Sequence, residues 1–235
     1  MTLLLGCSFF ALISSPVLAA KVRFLVNDVA PYTLRDETQR KGMHIEMVEA
    51  LVTEAKVAFQ LESAVYVRLG KSLEDGSADI VGMVEDPNLE GRAIRVLPLH
   101  AFQFVVISHK DAPIRSIAEL TDKTLGVARG AFYADEINNN ATINKYGIKD
   151  PFQGVKMLEA KHLDAVISSD YLLTYALMMT GVDTRLFATP FAVNERRYVL
   201  YAASNVDPAL INQLRAAWEK LESRGDIARI IRRYR

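Results

Sequence analysis

The chain has 235 residues, half of them apolar and 24% charged, which is enough for one large domain or two small ones. Lysine plus arginine and aspartate plus glutamate each total 28, so the formal net charge is zero. That balance excludes a generally basic nucleic-acid binder and a charge-driven membrane-surface protein, and leaves any charge selectivity to local groups.

Residues 1–20 carry no charged side chain, and Leu3 to Ile13 is mostly apolar before Pro16 and the small-residue end Val17-Leu18-Ala19-Ala20. This is the pattern of a secretory signal peptide, cut after Ala19 or Ala20, and its apolar run is short for a bilayer span. Cys7, the only cysteine, precedes most of that run instead of ending it, so lipidation is not expected. The mature chain would be free of cysteine and suited to an oxidising periplasm.

Val22 to Asn27 reads as a first strand opening into the breaker-rich loop DVAPYTLRD. Met43, Met47, Val48, Leu51, Val52 and Ala55 recur at helical spacing, giving a helix from Met43 to Ala55 that packs on a sheet. A strand around Phe59 to Tyr66, a short helix ending at Asp75-Gly76 and a strand from Ala78 to Val84 follow, and then the polar loop EDPNLEGR, Glu85 to Arg92. Ligands bind beyond the carboxyl ends of strands in open α/β sheets, so this loop is a candidate ligand contact.

A crossing begins at Pro98 and leads to the strand Gln103 to Ser108; Ser116 with Glu119 forms a capping box that starts a helix. After the strand Leu125 to Ala128, Gly130 precedes an expected helix over Ala131 to Ile137, a place where backbone N–H groups could meet an anion. Phe152 to Ala160 reads as a helix, Leu163 to Ser168 as a strand, and Asp170 as the cap of a helix over Tyr171 to Met179. Thr189 to Phe191 is the second crossing, Tyr198 to Ala203 a strand, Asp207-Pro208 the start of a helix, and Ile227 to Arg233 the last helix.

LEAKHLDAVISSD, Leu158 to Asp170, repeats the pattern of LEDGSADIVGMV, Leu73 to Val84, with Asp79 and Asp164 at matching places. Two copies of one unit imply two similar α/β lobes with a ligand between them. Zinc spacing, a nucleophile elbow and a Walker loop are absent, so neither metal nor cofactor is implied. His44, His100, His109 and His162 are scattered and read as surface or half-buried side chains.

Ala30-Pro31-Tyr32, Gly42-Met43-His44-Ile45-Glu46, Gly76 to Ile80, Ile117 to Leu120 before Leu125-Gly126-Val127, the Asp164 to Asp170 spacing and Asp207-Pro208-Ala209-Leu210 occur in one order along the chain. In this the chain resembles the periplasmic solute-binding proteins of the polar amino-acid type, bacterial extracellular solute-binding protein family 3. The resemblance implies a type II two-lobed α/β fold, each lobe a sandwich about a central mixed sheet, with two hinge crossings. Lobe one would comprise residues 21–101 plus 191–235 and lobe two residues 102–190. It also implies that Arg92 grips a ligand carboxylate and Asp170 an ammonium, with Tyr32 as an aromatic wall and Asp28 a second acid.

The same residues have plainer readings: Asp170 as a helix cap, and Arg92 paired with Glu85, Asp86 or Glu90. Tyr32 has little core to join from a loop after proline. Departures from the family pattern are the longer Asn88-Leu89-Glu90-Gly91-Arg92, the pair Ala131-Phe132 after the glycine, and the acids Glu85 and Asp86, which tilt the ligand toward extra positive charge. The function implied is capture of a small solute, an amino acid or related amine, for an ABC permease, by a monomer that is not an enzyme. The rivals are a periplasmic enzyme on this scaffold resembling cyclohexadienyl dehydratase, and a solute sensor for a membrane signalling partner.

Overall fold

The computed structural model describes residues 21–35 and 40–234; the expected signal segment lies outside them. Its strands are β1 (Val22–Asn27), β2 (Leu34–Arg35), β3 (Arg40–Lys41), β4 (Phe59–Ala64), β5 (Ile80–Val84), β6 (Ala93–Ser108), β7 (Thr124–Ala128), β8 (Asn144–Ile148), β9 (Ala165–Ser169) and β10 (Phe191–Ala203). Its helices are α1 (Met43–Ala55), α2 (Tyr66–Glu74), α3 (Asp135–Asn138), α4 (Pro151–Glu159), α5 (Asp170–Thr180), α6 (Pro208–Ser223) and α7 (Asp226–Arg232).

Eight strands share one sheet in the order β4-β1-β5-β10-β6-β9-β7-β8. The outer triplets are parallel, β4-β1-β5 on one side and β9-β7-β8 on the other, which places a two-lobed molecule around two equivalent parallel cores. The lobes are linked by β6 and β10, which pair antiparallel along their whole lengths; β10 also pairs with β5 and β6 with β9. Both linking strands are longer than their apolar cores suggest, because the crossings from Pro98 and Thr189 continue the ladder instead of breaking it.

The sequence repeat has a structural counterpart. The Asp79 carboxylate accepts the Arg23 N–H at 2.8 Å while its own N–H donates to Arg23 O, fastening β5 to the start of β1. Asp164 does the same for β7, accepting the Thr124 N–H at 2.7 Å and donating to Thr124 O. One carboxylate per lobe thus fixes the register of a parallel pair, where a slip would turn the apolar faces outward.

α1 is buried at Met43, His44, Ile45, Met47, Val48, Leu51 and Val52, and it packs against α6, whose Ile211, Leu214, Trp218 and Leu221 are also buried. Three expected elements differ. Ser116 and Glu119 bond side chain to side chain without capping a helix, and only a short 3-10 turn, Ala118–Leu120, follows. The helix expected over Ala131 to Ile137 shrinks to α3, since Tyr133 and Ala134 direct their N–H groups to the Asn138 side chain. The edge strand β8 was not legible, because only Ile148 of its five residues is buried and no apolar alternation marks it.

Candidate functional site

The carboxyl ends of the parallel strands in both lobes converge on a cleft of about 840 Å³. In lobe one, Asn27 pairs with Ala64, so Asp28 and Val65 leave β1 and β4 side by side. In lobe two, Ala128 pairs with Ile148, so Arg129 and Lys149 leave β7 and β8 side by side, with Ser168 and Ser169 at the end of β9. All six of these residues except Ser168 and Ser169 lie just beyond strand ends, and all line the cleft.

Tyr32 borders the cleft floor but is fully buried, and this corrects its reading as a wall without core to join. Its ring stacks on His44 with centroids 4.1 Å apart and planes 3° from parallel, and Tyr198 and His100 pack around it. Its hydroxyl shares a 3.0 Å hydrogen bond with Ser169 Oγ, a link from the first loop of one lobe to the helix cap of the other.

His44 and His100 are likewise buried, contrary to their reading as surface or half-buried side chains, and their Nε2 atoms lie 2.9 Å apart. His100 Nδ1 faces Ala101 O, which can only accept, so Nδ1 carries the proton and His100 Nε2 accepts from His44 Nε2–H. His44 Nδ1 is then a buried acceptor without a partner. Burial, with His100 alongside, holds the His44 pKa well below the usual histidine range. Burial pushes the phenols of Tyr32, Tyr133 and Tyr198 up, and that of Tyr66 to about 12, so these four are neutral.

Of the seven residues singled out in the sequence, Asp28, Tyr32 and Phe132 line the cleft. Asp28 accepts a 3.3 Å hydrogen bond from Ser63 Oγ, and Phe132 is 46% exposed. Arg92 instead pairs with Glu74 on an exposed surface, with none of the acids of its own loop. Glu85 pairs with Arg95 at 3.0 Å, Asp86 caps the short turn at Pro87–Leu89, and neither acid lines the cleft. Asp170 is not the helix cap; Ser169 is, accepting from Leu172 N. The Asp170 carboxylate accepts from Gln103 N and Tyr171 N and is not among the cleft-lining groups.

Gly130 offers no helix N-terminus to an anion: the Ala131 N–H returns to Ala128 O at 3.2 Å. Its φ of 75° and its contact with the other wall explain the glycine, since a Cβ there would lie 2.5 Å from Val67 Cγ1. Gly130→Ala is therefore expected to hold the walls apart and weaken solute binding by about tenfold or more, with a left-handed penalty of roughly 1–2 kcal/mol on top. Titration of the variant checks this; unchanged affinity would mean that the Gly130–Val67 contact is not part of the bound state.

Residues that the sequence reading passed over are Arg129, Lys149 and Ser169. The strand-end rule applied at Ala128 points to Arg129, whereas Lys149 stays hidden as long as β8 does. Among the described residues no group of side chains could hold a metal ion, and no helix is long and apolar enough to cross a membrane.

Two parallel-sheet lobes, two connecting strands and a cleft at the strand ends define a type II two-lobed binding protein. The sequence profile of the bacterial extracellular solute-binding proteins, family 3, matches residues 23–235, and the chain belongs to that family. The arginine-binding extracellular protein ArtP of Bacillus subtilis is 21% identical over 214 residues, covering 88% of this chain and 82% of that protein. The arginine-bound substrate-binding protein AbpA of an amino acid ABC transporter from Streptococcus pneumoniae superimposes with a TM-score of 0.76 at 18% identity, over 91% of this chain and 94% of that one. A histidine kinase sensor domain similar to periplasmic binding proteins superimposes with a TM-score of 0.79 at 14% identity, over 91% and 95% of the two chains.

Proposed function

We propose that this chain captures a small polar solute, an amino acid or related amine, between its lobes and presents the closed form to the permease of an ABC importer. The observation that carries this reading is the cleft itself, roughly 840 Å³ between two sets of strand ends, in the 300–1,000 Å³ range of small-molecule sites. Family membership and the amino-acid ligands named for the relatives support it. In this reading lobe one is residues 21–101 plus 191–235, lobe two is residues 102–190, and the strands near Phe102 and Pro190 flex as solute closes the cleft. Residues 1–20 act as a signal removed after Ala19 or Ala20 on export to the periplasm. The likeness to a kinase sensor domain favours a second reading, in which the closed form is read by a membrane sensor.

The test is thermal unfolding against a panel of amino acids, polyamines and small organic acids. A solute at about a hundred times its dissociation constant stabilises by roughly 2.7 kcal/mol. A saturable upward shift is expected for one class; a flat response across the panel would remove the reading.

A further inference from the structure

The polarity of the cleft can be taken further than its existence. Arg129 and Lys149 stand on adjacent parallel strand ends, and neither makes an ion pair among the described residues. The Arg129 stem lies across the backbone of β8 at Gly147, where a Cβ would come within 3.4 Å of its Cγ and 3.5 Å of its Nε.

The cleft's two acids keep their charge but are held by neutral donors, and only Asp150 belongs to the lobe-two wall beside the two cations. Asp150 accepts the Gln153 N–H at 2.8 Å as the cap of α4, and Asp28 accepts from Ser63. With two cations against one carboxylate, the charge offered to a solute from lobe two is positive. This reverses the tilt toward a cationic ligand that Glu85 and Asp86 suggested.

The remaining surface is apolar. Of the seven exposed large hydrophobic side chains among the described residues, Val65, Val67, Phe132 and Met179 border this one cleft, and Phe152 joins them. Apolar groups exposed singly need no explanation, but a cluster at the mouth of a cleft marks something that covers it.

We propose that the solute is a carboxylate with an apolar body, its carboxylate held by Arg129 and Lys149 on lobe two and its body packed between Val65, Val67, Phe132 and Phe152. The carboxylate grip thus lies on lobe two, opposite to the lobe-one placement at Arg92. The proposal rests on the reading of this cleft as the solute site and narrows the solute to acids, so that of the amino acids and related amines only the former remain. Two cations fit two carboxylate oxygens, and the guanidinium fork supplies two of the hydrogen bonds. A polycation would meet unpaired like charge, and a neutral apolar solute would cover both cations without pairing them.

The experiment is calorimetric titration of the purified chain with 3-phenylpropionate, phenylalanine, phenethylamine and arginine, repeated on Arg129→Gln, Lys149→Gln, Gly147→Ala and Arg92→Ala. Expected are binding of the two carboxylates with the aromatic body, none of phenethylamine, and a loss of about tenfold or more for each Gln variant. Gly147→Ala sets a Cβ at ordinary van der Waals distance from the Arg129 stem and is expected, like Arg92→Ala, to leave binding within about twofold. Binding of arginine or phenethylamine that is indifferent to Arg129→Gln, or loss of binding in Arg92→Ala, would overturn the clamp while leaving the solute receptor standing. If none of the four probes binds but the wider panel gives a hit, the class is wrong and the receptor survives; silence in both overturns both. Circular dichroism of each variant separates lost binding from lost folding.

Discussion

Gly42→Ala is expected to cost about 3–5 kcal/mol of stability, lowering the unfolding temperature by roughly 10 °C in a chain of this size. Gly42 stands before α1 with φ 129° and ψ 160°, a region essentially reserved for glycine, where strain alone costs roughly 1–3 kcal/mol. A Cβ there would sit 2.8 Å from Thr33 Cα and closer still to Tyr32 O, both backbone atoms with no rotamer to yield. The approach is close for a reason. No side chain caps α1; instead Pro31 O and Tyr32 O accept the N–H groups of Met43 and His44 at 3.0 Å each. The loop bearing Asp28 and Tyr32 is thus held by the first turn of the helix, and displacing one displaces the other. Urea unfolding of the variant checks this, and a loss below about 1 kcal/mol would mean that the loop can slide without harm.

The second large effect is on pH dependence. His44 has a folded pKa depressed below its unfolded value, so the stability tied to its neutrality is complete above about pH 6.5 and is lost as pH falls below that. The sign follows from proton counting: below about 6.5 the unfolded chain binds a proton that folded His44 refuses. Two features oppose the proton: His44 Nδ1 has no partner to share it with, and the residue lies in the first turn of α1, where the helix dipole is positive. The groups facing it are His100, Tyr32 and Tyr198, and none supplies a carboxylate. The slope from one such group is up to about 1.4 kcal/mol per pH unit, reached once the pH lies below the unfolded value of about 6.5. His44→Gln keeps an amide donor near His100 without titrating, and its stability is expected to fall less steeply over that window. Equal slopes for both proteins would show that His44 does not carry the effect. Because the Tyr32–Ser169 link rests on this stack, the same acid range is expected to loosen contact between the lobes.

The two lobes were legible because apolar patterning and turn chemistry repeat: Asp79 and Asp164 recur at one spacing and perform one task. Helices with long apolar stripes, α1 and α6, were legible for the same reason. What escaped lacks such a stripe or is decided by distant partners. β8 has one buried residue in five, and Tyr32 is buried by rings from residues 44 to 198 in the sequence. His44 could have been suspected, since 44, 48, 51 and 55 continue the helical spacing of the buried face.

The candidate site was legible in its position and less so in its side chains. Strand-end geometry correctly points to a cleft beyond β1 and β7, but one residue decides which way a side chain faces. Ser169 takes the cap and faces the cleft, which turns Asp170 toward Gln103 N. The lengthened loop before Arg92 carries that arginine to Glu74. Both outcomes depend on local register, which composition does not encode.

The central claim is that solute entry draws the two lobes together. Because the only cysteine is Cys7, in the proposed signal, a mature chain bearing Lys71→Cys and Met178→Cys can be labelled at one exposed position in each proposed lobe. Energy transfer between the labels is predicted to rise saturably with the solute that raises the unfolding temperature, at the same dissociation constant, and to fail to rise in Gly130→Ala. A solute that binds at this cleft while the distance distribution stays unchanged would contradict the account.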